Sequence, residues 1–280
     1  MSSASATTST VRFEVDEDRI AWVSFNRPEK RNAQSPKLNR EMLEVLDELE
    51  HDDRCAVVVI TGEGDAWSAG MDLEEYFRET DGKPRHVQKR VRREGSDWQW
   101  RKLVDYAKPT IAMVNGWCFG GAFIPLVGCD LAIAAEDAVF GLSEVNWGVT
   151  PGNLVSRALV EVVPARDAIY YVMTGERFDG RRAAELRLVN EAVPRDQLRE
   201  RTRELALKLT ALSPWVVWGA KVGVRQVRQM SFDVAEDYLY AKHDQAILAD
   251  EGRARGKGMT KFLDDKSYKP GLGTFDGGDA

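Results

Sequence analysis

Residues 115–152 read NGWCFGGAFIPLVGCDLAIAAEDAVFGLSEVNWGVTPG. This stretch sets a glycine pair, Gly120 and Gly121, ahead of an apolar run with helical character, and then places one acid, Glu144, after a Phe-Gly turn. A helix that starts at a glycine pair offers unpaired backbone N–H groups and the positive end of the helix dipole. Such donors can stabilise a developing oxyanion, and a nearby carboxylate can transfer protons in the same reaction. The stretch therefore predicts a site in which backbone N–H donors stabilise an oxyanion and one acidic side chain transfers protons.

A second glycine-bearing turn lies upstream, in residues 68–73 (SAGMDL), directly after a β-branched run and its loop. Two backbone N–H donors from separate turns are what a thioester oxygen needs when an enolate forms on it. Each turn alone is weak support, because glycines at strand-to-helix turns usually serve backbone geometry. The two turns together with Glu144 indicate enolate chemistry.

Short apolar runs alternate with helical patterns through the first two thirds of the chain. Ser35 and Pro36 have the character of an N-cap followed by a proline in the first helical position, and they predict an amphipathic helix that extends to about Glu50. The predicted strands cover residues 20–25, 56–61, 110–114 and 131–134. Short buried strands that alternate with helices indicate an α/β fold.

The last third of the chain is predicted to be helical. The predicted helices cover residues 164–174, 180–186, 196–212, 215–230 and 232–250, and residues 188–194 form a short extended interruption. We therefore expect an α/β core over residues 11–195 and a C-terminal helical subdomain over residues 196–270. Residues 1–10 and 271–280 have the composition of disordered tails.

Composition excludes several classes of function. The net charge of −6 over 280 residues argues against a general nucleic-acid binder, and the basic run 89–93 (KRVRR) is interpreted as a solvated helix face. The three cysteines lack CxxC spacing and predict buried free thiols rather than a zinc site. There is no secretory signal and no apolar run of membrane-spanning length, so a cytoplasmic protein is expected.

The common catalytic motifs are also missing. The chain has no P-loop, no strand-borne G-x-G-x-x-G and no G-x-S-x-G, which argues against nucleotide, dinucleotide and serine-hydrolase chemistry. The three histidines, His51, His86 and His243, lie in polar helical contexts and are predicted to be surface residues.

An ordered set of motifs resembles the enoyl-CoA hydratase/isomerase (crotonase) superfamily. The motifs are NRPEKRNA at 26–33, SAGMDL at 68–73, NGWCFGG at 115–121, CDLA at 129–132, Phe140-Gly141, Glu144, Gly148, Pro151-Gly152 and LVNEAVP at 188–194. The resemblance implies a crotonase-like spiral of ββα units, an acyl-CoA thioester substrate, and a homotrimer or a homohexamer built as a dimer of trimers. It assigns the oxyanion hole to the backbone N–H groups of Met71 and Gly121. No metal and no cofactor beyond the CoA of the substrate are expected.

One departure from the superfamily narrows the expected substrate. Hydratases of this superfamily use two glutamates, of which Glu144 matches the second, while the first position is occupied by Ile124. The segments 70–79, 98–100, 116–121, 144–148 and 236–242 resemble the branch that acts on 4-hydroxycinnamoyl-CoA thioesters such as feruloyl-, p-coumaroyl- and caffeoyl-CoA. That branch lacks the first glutamate and usually has serine there. The resemblance implies hydration followed by retro-aldol cleavage to an aromatic aldehyde, such as vanillin, and acetyl-CoA.

The same resemblance assigns roles to residues around the acid. Glu144 is the expected acid and base. Tyr76 and Tyr240 are assigned to the phenol, and Trp147, Ile124 and Gly152 to the aromatic and acyl end. Lys30 is assigned to the CoA phosphates, and Ala69 and Leu73 to the adenine and pantetheine. For the tyrosines and the tryptophan, core or interface packing is the alternative interpretation.

Two other functions stay open from the sequence. One is an enoyl-CoA hydratase or isomerase for aliphatic chains, against which Ile124 counts. The other is a CoA-binding protein without turnover, against which Glu144 and the two glycine turns count.

Overall fold

Residues 9–268 are described by a computed structural model, in which ten strands form two sheets. The strands are β1 (Val11–Val15), β2 (Ile20–Phe25), β3 (Val57–Gly62), β4 (Ala66–Ser68), β5 (Thr110–Val114), β6 (Trp117–Phe119), β7 (Leu131–Ala135), β8 (Val139–Gly141), β9 (Arg177–Asp179) and β10 (Glu191–Val193). The four strands predicted from sequence are confirmed as β2, β3, β5 and β7, within one residue at each end.

Twelve α-helices connect and cover these strands. They are α1 (Pro36–His51), α2 (Glu79–Asp81), α3 (Arg85–Ser96), α4 (Leu103–Asp105), α5 (Phe123–Gly128), α6 (Val155–Val162), α7 (Ala165–Thr174), α8 (Gly180–Glu185), α9 (Leu198–Thr210), α10 (Pro214–Val227), α11 (Phe232–Ala249) and α12 (Arg253–Met259). Shorter or wider helical turns cover Pro28–Lys30, Leu73–Arg78, Asp97–Lys102, Gly120–Ala122, Glu144–Trp147, Arg195–Gln197 and Thr260–Asp264.

Helix α1 shows why the local sequence predicts its element so well. The Ser35 hydroxyl accepts a hydrogen bond from the Leu38 N–H at 3.2 Å, and Pro36 occupies the first turn, where no N–H is needed. Apolar residues at helical spacing form the buried face of the helix, and these are Leu38, Met42, Leu46 and Leu49. The predicted start at the cap is confirmed, and the helix ends one residue beyond Glu50.

The larger sheet has the strand order β1-β2-β3-β5-β7-β10 and is parallel except for the antiparallel pair β1–β2. Every residue of β3 and β5 is buried, as expected for parallel strands covered on both faces. The predicted extended interruption contributes β10, whose Glu191 pairs with Ile133 of β7.

The smaller sheet has the order β4-β6-β8-β9. The pairs β3/β4, β5/β6 and β7/β8 each give one strand to each sheet, and helical structure follows each pair. This is the predicted spiral of ββα units. It brings the ends of β4, β6 and β8 side by side. The two glycine turns directly follow β4 and β6, and Glu144 lies three residues beyond the end of β8.

The C-terminal helices attach to the core in two ways. Helix α9 packs on β2, β3, β5 and β7 and buries Leu198, Thr202 and Ala206, so it covers the large sheet although the sequence-based boundary places it in the helical subdomain. Helix α10 is tied to the core by Asp130, which accepts hydrogen bonds from the Lys221 ammonium at 2.8 Å and from Arg225. Helix α11 packs against α10.

The predicted disordered tails lie outside the described residues, except for Ser9 and Thr10, which both donate to the Glu41 carboxylate. Among residues 9–268, no helix has the length and apolar content needed to cross a membrane. The three cysteines are free and buried, as the sequence predicts.

Candidate active site

The two glycine turns lie against each other. At Gly70, whose φ is +86°, an added Cβ would lie 2.5 Å from the Phe119 carbonyl oxygen and 3.1 Å from the Gly121 nitrogen. No side chain fits this approach, and the left-handed conformation also favours glycine. An added Cβ at Gly121 would lie 2.8 Å from Cγ of Met71 and 3.5 Å from its backbone nitrogen. The structure therefore brings Met71 and Gly121 together, 50 residues apart in the sequence.

The backbone N–H groups of these two residues are available as donors. Gly121 is the second residue of the helical turn Gly120–Ala122, and N–H groups at the start of a helix have no intrahelical acceptor. The neighbours of Met71 are held by Gln34, whose N–H donates to the Gly70 carbonyl and whose carbonyl accepts from the Asp72 N–H. Met71 N–H itself has no acceptor among the hydrogen bonds of residues 9–268. Two unpaired donors on adjoining turns suit an oxyanion.

Glu144 begins the helical turn Glu144–Trp147, which follows β8. Its carboxylate lies beside Gly120, because a Cβ added at Gly120 would be 3.2 Å from Oε1 of Glu144 and 3.6 Å from its Cδ. Gly120 has a φ of +51°, so both its conformation and its missing side chain serve this approach. The acid and the oxyanion turn are thus adjacent.

The Glu144 carboxylate has an unusual environment. Its Oε2 atom is buried and has no hydrogen-bond partner among the described residues. Burial raises the pKa of Glu144 above its ordinary value of 4.5, because the charged form loses solvation. A raised pKa makes the Glu144 carboxylate a stronger base, which favours transfer of a proton to it and its later return to the substrate.

The loop that follows β2 supports the first glycine turn. Asn32, fully buried, accepts a hydrogen bond from the Arg27 N–H and donates to the carbonyls of Glu63 and Ala66. The Ser68 hydroxyl donates to the Asn32 carbonyl and accepts from the Gly70 N–H. This polar network fixes the segment that carries the Met71 N–H.

Lys30 is paired with carboxylates in this structure. Its ammonium lies 3.1 Å from Glu75, 3.6 Å from Asp72 and 3.7 Å from Glu74. The hydrogen bond that the Lys30 ammonium donates to the Glu75 carboxylate raises the pKa of Lys30. Three carboxylates within 4 Å oppose the approach of a phosphate, so the assignment of Lys30 to the CoA phosphates stays a prediction. Ala69 and Leu73, on the neighbouring turn, are exposed.

Ile124 is fully buried in the hydrophobic core, in α5. Its apolar side chain has no group that can move a proton, so it cannot act as the first glutamate that the resemblance implies at this position. Of the two glutamates that the resemblance implies for hydratases, the chain therefore has the second, Glu144, and lacks the first.

The predicted aromatic-binding residues lie on different elements of the chain. Tyr76 is buried, and burial raises the pKa of its phenol; its hydroxyl lies against Gly95 of α3. Trp147, 68% exposed, shares the helical turn of Glu144, and Gly152 lies in an exposed loop with open space around it. Tyr240 is 64% exposed on α11.

Tyr240 faces a large apolar groove between α10, α11 and α12. This groove has a volume of about 1340 Å³, and His243 also lines it. None of the catalytic candidates Glu144, Met71 and Gly121 lines this groove. Tyr240 and Glu144 therefore do not line this groove together.

Sequence reasoning assigned no role to Gln34, Asn39 and Gln99, which are all fully buried. Gln99 Nε2 donates to Gln34 Oε1 at 2.6 Å and lies 3.5 Å from the Met71 sulfur. Trp98 Nε1 donates to Asn39 Oδ1 at 2.8 Å. In the sequence, Gln99 lies between two tryptophans, and this pattern indicates a buried segment with one polar side chain.

Comparison with known proteins gives consistent matches over nearly the whole chain. Residues 16–269 match the family model described as enoyl-CoA hydratase/isomerase. The chain is similar to hydroxycinnamoyl-CoA hydratase-lyase from Pseudomonas fluorescens, with 58% identity over 266 residues that cover 95% of this chain and 96% of the relative. It is 28% identical to 2,3-dehydroadipyl-CoA hydratase from Escherichia coli strain K12, over 88% of this chain and 93% of the relative.

Solved structures show the same breadth of similarity. An enoyl-CoA hydratase from Bacillus anthracis has a TM-score of 0.81 and 25% identity, covering 90% of this chain and 96% of the other. Human enoyl Coenzyme A hydratase domain-containing protein 3 has a TM-score of 0.81 and 26% identity, covering 93% and 99%. The likeness therefore extends over both sheets and the C-terminal helices.

Proposed function

Because the chain belongs to the enoyl-CoA hydratase/isomerase family, we propose that it is a lyase that hydrates 4-hydroxycinnamoyl-CoA thioesters and cleaves the hydrated product to an aromatic aldehyde and acetyl-CoA. The observation that carries this proposal is the lone acid Glu144 beside the oxyanion turn, with Ile124 in place of a second acid. The 58% identity to a hydroxycinnamoyl-CoA hydratase-lyase supports the substrate class.

The first stage is addition of water to the Cα–Cβ double bond. Glu144 accepts a proton from water, the hydroxide oxygen bonds to Cβ, and the electron pair of the double bond moves toward the thioester oxygen. The N–H groups of Met71 and Gly121 stabilise the enolate that results. Protonated Glu144 then gives its proton to Cα, which completes the β-hydroxyacyl thioester.

The second stage is retro-aldol cleavage. Glu144 accepts the proton of the β-hydroxyl group, the C–O electron pair becomes the aldehyde C=O, and the Cα–Cβ bond breaks. The acetyl-CoA enolate is held by the same two N–H groups until Glu144 returns the proton to Cα. The oxygen of the added water thus ends in the aldehyde, and both of its hydrogens end on the methyl group of acetyl-CoA. One carboxyl group serves both stages because the transfers occur in sequence.

The phenol of the substrate explains why one acid suffices. The electrons of a 4-hydroxyl group delocalise toward Cβ through a quinone-methide-like form, which assists the step that a second acid would otherwise catalyse. Tyr76 and Tyr240 bind this hydroxyl in our proposal, and Trp147, Ile124 and Gly152 shape the aromatic and acyl end. Burial keeps the Tyr76 phenol neutral, so it can donate a hydrogen bond to a phenolate.

The CoA end of the substrate lies, in our proposal, along the exposed first glycine turn. Ala69 and Leu73 contact the adenine and pantetheine, and Lys30 meets the phosphates after leaving its carboxylate partners. No cofactor is proposed beyond the CoA that the substrate carries.

A homotrimer, or a homohexamer of two trimers, would complete the site. Tyr240 lines an apolar groove that none of the catalytic candidates Glu144, Met71 and Gly121 lines, and several large apolar side chains on α10, α11 and α12 are exposed in the single chain. Burial of such a surface favours association. We also propose a cytoplasmic location, which the three free cysteines favour.

The direct test compares feruloyl-CoA with crotonyl-CoA as substrates. Feruloyl-CoA should give vanillin and acetyl-CoA in equal amounts, while crotonyl-CoA should be hydrated slowly and not cleaved. Rapid hydration of crotonyl-CoA without aldehyde from feruloyl-CoA would favour the aliphatic hydratase. Tight binding of both thioesters with no product would favour a CoA-binding protein.

A further inference from the structure

Two buried glutamines form an amide pair beside the oxyanion turn. Gln34 and Gln99 are both fully buried, and Gln99 Nε2 donates to Gln34 Oε1 at 2.6 Å. The other two amide atoms, Gln34 Nε2 and Gln99 Oε1, have no hydrogen-bond partner among residues 9–268. Buried polar atoms without partners destabilise the folded state, and two apolar side chains would avoid that cost. The pair is therefore not explained by stability.

The position of this pair suggests its purpose. Gln34 pairs through its backbone with Gly70 on one side of Met71 and with Asp72 on the other. The side chain of Gln99 contacts the Met71 sulfur at 3.5 Å, and the Met71 side chain in turn covers Gly121. The Met71 donor is thus held through its backbone neighbours and through its side chain.

Gln99 also reaches the segment that carries the second donor. Its backbone carbonyl lies so close to Gly128 that a Cβ at that position would be 2.6 Å away. Gly128 ends α5, which begins two residues after Gly121. Gln99 therefore contacts the Met71 side chain and the last residue of the helix that follows Gly121.

We infer that Gln99 is a positioning residue that, through Gln34 and the Met71 side chain, fixes the Met71 N–H relative to the Gly121 N–H. The inference rests on the proposed function, since it assigns these two N–H groups to the enolate oxygen. The pair thereby acts on the transition states for hydration and cleavage, and because both side chains are fully buried we expect no contact with the CoA moiety.

The test is Gln99→Leu, assayed with feruloyl-CoA. A displacement of a catalytic donor by a fraction of an ångström should lower kcat about 10- to 100-fold. KM for feruloyl-CoA and the inhibition constant of free CoA should change less than about twofold, since ground-state binding is retained. Equal loss of kcat and CoA affinity would contradict a positioning role.

Trp98→Phe is the matched control on the same helical turn. It removes a buried hydrogen bond, from Trp98 Nε1 to Asn39 Oδ1, without touching Met71. We expect Trp98→Phe to lower Tm about as much as Gln99→Leu does, while kcat stays within about twofold of the wild-type value. A fall in kcat equal to that of Gln99→Leu would show that any loss at this turn suffices, and would overturn the inference.

The double variant Gln34→Leu/Gln99→Leu separates folding from positioning. Removal of both polar partners should restore Tm toward the wild-type value, because no unpaired amide remains. The inference expects kcat to stay low, whereas recovery of kcat together with Tm would overturn it. If the wild-type protein releases no aldehyde from feruloyl-CoA, the proposed function fails. If the wild-type protein releases aldehyde and Gln99→Leu has the same kcat, only the inference about Gln99 fails.

Discussion

Gly120→Ala tests whether catalysis needs Glu144 at its observed place. The added Cβ would lie 3.2 Å from Oε1 of Glu144, which is closer than ordinary contact and forces the carboxylate to move by a few tenths of an ångström. Alanine at a φ of +51° also costs about 1–2 kcal/mol. We expect kcat to fall about 10- to 100-fold, because small displacements of a catalytic group have effects of that order.

Gly148→Ala is the control for backbone strain. Gly148 ends the turn that starts at Glu144, its φ is +73°, and an added Cβ would meet nothing within 4 Å. The conformational cost should therefore match that of Gly120→Ala, without pressure on the carboxylate. Both variants should lose a few degrees of Tm, while Gly148→Ala should keep kcat within about threefold of the wild-type value.

The assay follows aldehyde release from saturating feruloyl-CoA, together with thermal unfolding by circular dichroism. A clear loss of kcat in Gly120→Ala alone supports the placement of Glu144 against the oxyanion turn. Wild-type kcat in Gly120→Ala, despite a lowered Tm, would refute it. An equal loss of kcat in Gly120→Ala and Gly148→Ala would also refute this placement.

Three further predictions follow from the site and its surroundings. Glu144→Gln should lower kcat at least about 100-fold, and the acid limb of the pH–rate profile should lie above pH 4.5 because burial raises the pKa of Glu144. Because the pKa of Glu144 is raised in the folded state, ionisation of this carboxyl group destabilises the protein at higher pH. Glu144→Gln should therefore have a higher Tm than wild type at pH 7, and the difference should vanish below about pH 4.5. Tyr76→Phe and Tyr240→Phe should each lower kcat/KM for feruloyl-CoA by about tenfold, the equivalent of a hydrogen bond of about 1.4 kcal/mol, and unchanged turnover would remove that tyrosine from the site. Asp130→Ala should destabilise the protein by about 3–5 kcal/mol in urea unfolding, because it leaves the Lys221 ammonium, whose side chain is only 10% exposed, without a carboxylate partner, whereas Asp137→Ala at an exposed pair should have little effect.

The elements that could be predicted from the sequence are those with strong local signals. Helix α1 has a serine cap, a proline and an apolar stripe, and β3 has a β-branched run that ends at a glycine, so the sequence predicts the bounds of both within one or two residues. The strands β4, β6, β8 and β9 have only three residues each. Their pairing depends on contacts between distant parts of the chain, which no local pattern shows.

The candidate site also has parts that the sequence predicts and parts that depend on the fold. The glycine turns and Glu144 were recognisable because positive φ and close backbone approach require glycine, and the structure places them together. The ion pairs of Lys30 with Asp72, Glu74 and Glu75 join loops more than 40 residues apart, and no spacing rule predicts them. The pair Gln34–Gln99 joins residues 65 apart, and it too depends on the fold.

Turnover of feruloyl-CoA in D₂O tests the central claim, that hydration and retro-aldol cleavage occur in sequence, each with one proton transfer to Cα. The proposed reaction places two solvent deuterons on Cα, one at each stage, so mass spectrometry should show acetyl-CoA with a CHD₂ methyl group and an equal amount of vanillin without deuterium on carbon. Acetyl-CoA with one deuteron, or a hydrated thioester without vanillin, would contradict the proposed sequence.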